Sequence, residues 1–129
     1  MIDLNTFKSL AFFFDLTHIH NFGISFGLFS NSLPSWVFII VSIIITIIIF
    51  FMMMKTKFEL EKWGFILIIS GALSNIVDRF INGFVIDFIY LHYNHFYWPA
   101  FNFADIYISI GVVIIVLQFL KDLNKKVLK

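Results

Sequence analysis

The sequence lacks cysteine, and it has only two prolines and six glycines among its 129 residues. The absence of cysteine excludes disulfides, thiolate nucleophiles and cysteine-based metal sites. Charge is also scarce, because Asp, Glu, Lys and Arg form only 13% of the chain, whereas a soluble domain has about 25%. The net charge of +1 gives no sign of a polyanionic partner such as nucleic acid.

Apolar residues take the place of the missing charges. They form 60% of the chain, Phe alone occurs 19 times, and the mean hydropathy is +0.95. A soluble domain has about 45–50% apolar residues, so the excess is too large for one buried core. The composition therefore predicts a single integral membrane domain over residues 1–129, with no separate soluble domain.

Three stretches are long and apolar enough to be transmembrane helices, at residues 36–54, 63–79 and 103–120. The first has nineteen residues and no charge, which at 1.5 Å per residue nearly crosses a hydrocarbon core of ~30 Å. The second contains small and polar residues that we expect on a helix–helix face. These are Gly64, Ser70, Gly71, Ser74 and Asn75.

The lysines predict how the chain is oriented in the membrane. Seven of the nine basic residues lie between the first two spans or in the tail 121–129, and only Lys8 and Arg79 lie elsewhere. Lysine-rich connections are normally cytoplasmic. The tail is therefore predicted to be cytoplasmic, and residues 1–34 and 80–102 are predicted to lie on the outer side.

The outer segments have the pattern of β-strands. Residues 12–21 and 84–93 are rich in aromatic and β-branched residues and partly alternate. Turn chemistry follows or precedes them at residues 21–23 and at Asn82–Gly83. We expect a small sheet at the outer membrane interface, where the aromatic run 96–98 also fits.

Two acids, Asp87 and Asp105, lie next to these apolar segments. Asp105 stands three residues after Asn102, so it can simply complete a capping box at the start of the third span. Asp87 lies in the middle of a predicted strand, where Asp has poor propensity, although an outward, solvated acid remains an alternative. The neighbouring pair Asp78–Arg79 is most simply an ion pair or a snorkelling arginine.

Two carboxylates held close together cannot both ionise easily, so they share a proton. One can then act as a base on water while the other acts as an acid toward a carbonyl or a leaving amine. A serine–histidine dyad at Ser70 or Ser74 has weaker support, since no histidine is predicted at that depth. A metal site has little support either, since His92 and His95 lie in a predicted strand and loop and are therefore not a ligand pair on one helix face. No metal site is predicted. The histidines considered for it are His18, His20, His92 and His95.

Three ordered motifs resemble blocks of one known family, the lipoprotein signal peptidases (bacterial signal peptidase II). The motifs are "HNFGISFGLF" (20–29), "SGALSNIVDRFINGFVIDFI" (70–89) and "WPAFNFAD" (98–105). Three blocks in the same order and spacing make a much more specific signal than any one of them. The resemblance implies four transmembrane helices with a small β-cradle on the outer face.

The resemblance also implies a function. It suggests a monomeric intramembrane aspartic endopeptidase of the bacterial cytoplasmic (inner) membrane, with its active site at the outer face and no cofactor. Its partners would be membrane lipids and a diacylglyceryl-modified prolipoprotein, from which it would remove the signal peptide before the lipidated cysteine. The family's catalytic pair falls on Asp87 and Asp105. The family-like supporting positions are Asn21, Gly23, Asn75, Asp78, Arg79, Asn102 and Ala104.

The chain departs from the family pattern at its start. It has three predicted spans where the family has four, so residues 1–11 match little, and we expect a preceding helix missed by a start codon placed too late. Ser70 also stands where the family usually has Gly. The sequence leaves two other functions open: a small transport or accessory subunit that uses the acids as an ion site, or an inactive truncated remnant of the peptidase.

Overall fold

A computed structural model describes residues 2–23 and 33–127 of the chain. Residues 24–29, which belong to the first motif, lie outside the described residues. The elements in chain order are β1 (Phe7–Ala11), β2 (Phe14–Asn21), α1 (Ser35–Lys55), α2 (Glu59–Asn82), β3 (Val85–Tyr93), β4 (Phe96–Tyr97) and α3 (Phe103–Val127). Three long apolar helices and a small antiparallel sheet confirm the predicted fold class.

The three helices contain the three predicted spans, and each is longer than its prediction. In the part of the chain that the structure describes, all three are long and apolar enough to cross a membrane. α1 has 21 residues, which corresponds to about 31 Å at 1.5 Å per residue. Most of its large apolar side chains, such as Ile44 and Ile48, are exposed, as lipid-facing side chains should be.

The backbone contacts divide the chain into two compact units. The sheet unit comprises Met1–Val41 and Asn75–Asn102, and the helical unit comprises Ser42–Ser74 and Phe103–Lys129.

The sheet unit contains a four-stranded antiparallel sheet in the order β1-β2-β3-β4. Along β3, the buried face carries Val85, Asp87 and Ile89, because alternate strand residues point to opposite faces. Phe101 extends this edge of the sheet: its amide donates to the Ile89 carbonyl at 3.0 Å, and the Ile89 amide donates to its carbonyl at 2.9 Å. The chain is thereby led from the sheet directly to Asn102, just before α3.

β2 and β3 confirm the two predicted strand segments, but sequence reasoning did not identify β1 or β4. β1 is an exposed edge strand, and β4 has only two residues. β1 has no buried face and β4 is too short, so neither gives the apolar–polar alternation by which strands are recognised. Both are strands because they pair with longer neighbours, which is a non-local property.

The turn between α2 and β3 depends on Gly83, as its sequence predicts. Gly83 has a φ of +82°, a conformation that side-chain-bearing residues rarely adopt. The Ser35 hydroxyl at the start of α1 donates to the Gly83 carbonyl at 2.5 Å. This bond ties the first turn of α1 to the turn that leads into β3.

In the helical unit, α2 and α3 pack through their glycines. A Cβ built on Gly111 would lie 2.4 Å from the Gly64 carbonyl oxygen, and one on Gly71 would lie 2.4 Å from the Ala104 carbonyl oxygen. Such close backbone approach is typical of membrane helices that associate through small residues. The predicted helix–helix face is therefore confirmed for the two glycines of α2.

The same prediction is wrong for Ser70 and Ser74. Both side chains are exposed and are not covered by any of the residues that the structure describes. Gly64 and Gly71 are seven residues, about two turns, apart and share one face of α2, whereas the two serines lie on an adjacent face.

The close packing predicts that even one added methyl group at Gly111 destabilises the helical unit. Gly111→Ala should lower the free energy of unfolding by about 1–3 kcal/mol, the usual cost of overpacking, because the new Cβ meets a backbone carbonyl that cannot rotate away. Thermal unfolding of the purified chain in detergent measures this. Val113→Ala, at an exposed position of the same helix, is the control. Equal stability of the two variants would contradict the packing described here.

Candidate active site

Asp87, the one acid of β3, is buried and receives hydrogen bonds on both carboxylate oxygens. It is only 3% exposed. Asn21 Nδ2 donates to its Oδ2 at 2.9 Å, and Asn102 Nδ2 donates to its Oδ1 at 3.0 Å. These two amide groups replace the water that would otherwise hydrate the carboxylate. Without their hydrogen bonds, burying the carboxylate would cost several kcal/mol. The solvated, outward alternative for Asp87 is therefore wrong.

Asn21 reaches Asp87 because of the register of β2 and β3. Ile19 pairs with Asp87, and Asn21 pairs with Val85. Because residues two apart on a strand point to the same face, the side chain of Asn21 lies on the same face of the sheet as that of Asp87. Its side-chain oxygen accepts a hydrogen bond from the Gly23 amide at 3.0 Å. This arrangement is an Asx turn. It confirms the turn predicted at residues 21–23 and fixes which side of the Asn21 amide faces the acid.

Arg79, in the last turn of α2, is buried and 7% exposed. Its guanidinium donates to the Gly23 carbonyl through Nη2 and to the Asn75 carbonyl through Nη1 at 3.4 Å. The snorkelling interpretation of Arg79 is therefore wrong, because the charged end is directed into the protein. A surface arginine and a buried one can have the same local sequence. The burial of Arg79 could not be predicted because it involves a contact with Gly23, which is far away in the sequence.

Asn102 occupies the predicted N-cap position, immediately before α3 begins at Phe103. Its side-chain nitrogen lies between two acceptors, Oδ1 of Asp87 at 3.0 Å and Oδ1 of Asn75 at 3.2 Å. One amide therefore links the strand acid to Asn75 in the C-terminal half of α2. Sequence reasoning placed Asn102 at the helix start but did not foresee the hydrogen bond to Asp87.

Asp105 is the third residue of α3 and is half-buried. This is the predicted first-turn position, where an acid interacts favourably with the helix dipole. Its carbonyl accepts a hydrogen bond from the Ser109 hydroxyl at 2.7 Å. The neighbouring Ala104 is buried, and its carbonyl lies against Gly71. Asp105 belongs to the helical unit and Asp87 to the sheet unit, and the pairing of the two acids remains a prediction.

The remaining predicted positions and the histidines lie as follows. Asp78 is half-buried in the last turns of α2. His18 and His20 lie on β2, His92 on β3 and His95 in the following turn. In residues 2–23 and 33–127, no three His, Asp or Glu side chains are grouped to hold a metal ion.

Sequence reasoning missed one polar pair in the sheet. His92 Nε2 lies 3.2 Å from Asp15 Oδ2, with both side chains largely buried. The two residues are far apart in sequence and meet only because β2 and β3 pair. No local motif marks them.

The chain is similar in sequence to proteins of known family. A model of the signal peptidase (SPase) II family matches residues 1–121. The chain is 46% identical over 110 residues to the lipoprotein signal peptidase of Thermodesulfovibrio yellowstonii, covering 84% of this chain and 72% of that protein. It is 32% identical to the one from Alteromonas mediterranea, covering 88% and 65%, and 39% identical to the one from Francisella tularensis subsp. novicida, covering 81% and 68%.

Two solved structures described as bacterial membrane enzymes have a similar fold. One, obtained by the in meso method at 2.3 Å resolution, matches with a TM-score of 0.85 and 30% identity over 96% of this chain and 76% of that chain. The other, at 1.9 Å, matches with a TM-score of 0.81 and 28% identity over 95% and 79%. The fold, the three ordered motifs and the match over residues 1–121 lead to one conclusion: the chain belongs to the signal peptidase II family.

Proposed function

We propose that the protein is an intramembrane aspartic endopeptidase that removes the signal peptide from diacylglyceryl-modified prolipoproteins, cutting before the lipidated cysteine. Asp87 and Asp105 are its catalytic pair. Membership of the signal peptidase II family supports the substrate class. The observation that carries the assignment is the buried carboxylate of Asp87, held by amide donors from Asn21 and Asn102.

The environment of Asp87 suits a catalytic acid. A charge in an apolar surrounding is rarely kept without a use, since its burial is costly. The two amide nitrogens fix the plane of the carboxylate, so the reacting oxygen is oriented before substrate arrives.

The proposed chemistry needs only the two acids and water. The two carboxyl groups share one proton. The ionised one takes a proton from water as the water oxygen attacks the scissile carbonyl carbon, and the protonated one gives its proton to the carbonyl oxygen. When the tetrahedral intermediate collapses, the C–N bond breaks and the leaving amine takes up a proton from the pair. The two aspartates titrate as a unit, so neither is assigned one role.

The membrane location fits this substrate. A signal peptide and a diacylglyceryl group both remain in the bilayer, so the peptidase must meet them there. The protein is a multi-pass membrane protein: among the residues that the structure describes, three helices are long and apolar enough to span a bilayer. We place it, as a monomer among membrane lipids, in the bacterial inner membrane with its active site at the outer face. This orientation is supported by the lysines clustered where α1 ends and α2 begins and at the C-terminal end of the chain from residue 121 onward.

Several neighbours of Asp87 are proposed as positioning residues. Arg79 holds the Gly23 carbonyl, the Gly23 amide holds the Asn21 side chain, and Asn21 holds Asp87. On the other side, the side-chain oxygen of Asn75 accepts a hydrogen bond from the side-chain nitrogen of Asn102. This bond orients the Asn102 amide group, which also donates to Asp87. Each link restricts the next, so the carboxylate has one preferred orientation. Ala104 and Asp78 are proposed as supporting positions on the resemblance of their motifs alone.

Replacing either catalytic acid should abolish cleavage. Asp87→Asn and Asp105→Asn each remove the shared proton while keeping the shape of the side chain, so the rate should fall by about 10²–10⁴ or more. The measurement is release of the signal peptide from a diacylglyceryl-modified prolipoprotein by membranes that contain equal amounts of each variant. Asp122→Asn, near the end of α3, is the matched control and should cleave normally. Near-normal cleavage by either catalytic-site variant would show that the dyad is assigned wrongly.

Shortening Asn102 should slow catalysis more than it weakens substrate binding. Asn102→Ala removes a donor from Asp87, so the carboxylate loses its fixed orientation, and we expect kcat to fall about 10–100-fold with little change in KM, the size of a lost supporting interaction. Asn82→Ala, at the exposed end of α2, is the control. A change in KM alone, or a loss of folded protein with normal kcat, would mean that Asn102 does not position the catalytic acid.

A further inference from the structure

Two histidines on β2 face each other through their Nε2 atoms. His18 Nε2 and His20 Nε2 are 3.2 Å apart. The ring centroids are 4.9 Å apart and the ring planes make an angle of 68°. The catalytic mechanism proposed above does not use either residue.

The ring of His18 is held in one orientation. Its Nδ1 lies 3.2 Å from the carbonyl oxygen of Ile2. A carbonyl oxygen only accepts hydrogen bonds, so Nδ1 carries the proton and the lone pair of the neutral ring lies on Nε2. Metal-binding histidines are normally held in this way, with the second ring nitrogen donating to a carbonyl or a carboxylate.

The ring of His20 is held by stacking. It lies on the ring of Phe84, with centroids 3.7 Å apart and an angle of 15° between the planes. Burial, and then the neighbouring His18, lower the pKa of His20 below its usual range. Neutral imidazole is the form of histidine that binds metals.

The pair is separate from the candidate active site. In the β2–β3 register, His20 pairs with Ile86, whereas the next pair along joins Ile19 to Asp87. Adjacent strand residues point to opposite faces of a sheet. The His20 side chain therefore lies on the face opposite Asp87.

The distance between the nitrogens is that of two ligands on one metal ion. Zinc binds imidazole nitrogen at about 2.0–2.1 Å with tetrahedral geometry, which puts two such nitrogens about 3.3 Å apart. We propose that His18 and His20 bind one divalent transition-metal ion, such as Zn²⁺ or Cu²⁺, through their Nε2 atoms. Imidazole ligands favour these ions over Mg²⁺ and Ca²⁺.

Metal binding replaces the hydrogen bond between the two rings. In the metal-free pair, His20 Nε2–H donates to His18 Nε2. In the metal complex this proton moves through solvent to His20 Nδ1, so both Nε2 lone pairs face the ion and no net proton is released. Among the residues that the structure describes, no third His, Asp or Glu completes the site. Water then fills the remaining positions, and the affinity is lower than that of a four-ligand structural site.

The sequence alone predicted no metal site, because the four histidines were considered as one group and the spacing of His92 and His95 lies outside a helix. A His-x-His pair on a strand points both rings to one side. Bound metal would stiffen the end of β2 immediately before Asn21, which donates to Asp87.

Titration of the untagged full chain with Zn²⁺ in detergent micelles and a non-chelating buffer tests the proposal. Calorimetry should show one saturable site per chain. His18→Asn and His20→Asn should each weaken binding by at least about tenfold, the scale of losing a supporting group of a metal site. The matched controls His92→Asn and His95→Asn should bind as the unsubstituted chain does. Absence of saturable binding, or equal binding by all four variants, would overturn the proposal.

Electron paramagnetic resonance of the unsubstituted chain with one equivalent of Cu²⁺ gives a test that does not depend on variants folding. We expect hyperfine coupling to two imidazole nitrogens. Coupling to one or to none would overturn the proposal. The outcome does not depend on the peptidase assignment, since neither measurement involves cleavage.

Discussion

The structure of the sheet unit depends on the burial of one carboxylate. Asp87 is 3% exposed, and its two oxygens receive amide hydrogens from Asn21 and Asn102. These donors come from the end of β2 and from the residue before α3, so satisfying one acid requires the β2–β3 register and the start of α3 to be correct together. A buried acid without these donors would cost several kcal/mol. The polar chain through Arg79 and Gly23 extends the same constraint to the end of α2.

The helical unit meets a different constraint. Lipid is as apolar as the side chains it surrounds, so membrane helices gain little from hydrophobic burial and associate through close packing. α2 and α3 do so where Gly64, Gly71 and Gly111 let the backbones approach. The two constraints are complementary: close packing of small residues supports the spans, and a satisfied polar network supports the sheet that carries Asp87.

The sequence predicted what depends on local pattern. Long apolar runs located the helices, alternation located β2 and β3, and Asn102 followed from the preference for Asn at helix starts. It did not predict β1, the burial of Arg79 or the Asp15–His92 contact. Each of these depends on a partner many residues away, which local composition cannot specify. The candidate site residues were predicted from ordered motifs, and the hydrogen bonds of Asp87, Asn21 and Asn102 became visible only with the fold.

The central claim is that Asp87 and Asp105 act as one proton-sharing pair. The most direct test is the pH dependence of kcat/KM for cleavage of a diacylglyceryl-modified prolipoprotein in the presence of a metal chelator. The claim predicts a bell-shaped profile with two apparent pKa values that belong to the pair, since one carboxyl must be protonated and the other ionised. A rate that rises through a single ionisation to a plateau, or that is lost when metal is removed, would contradict it.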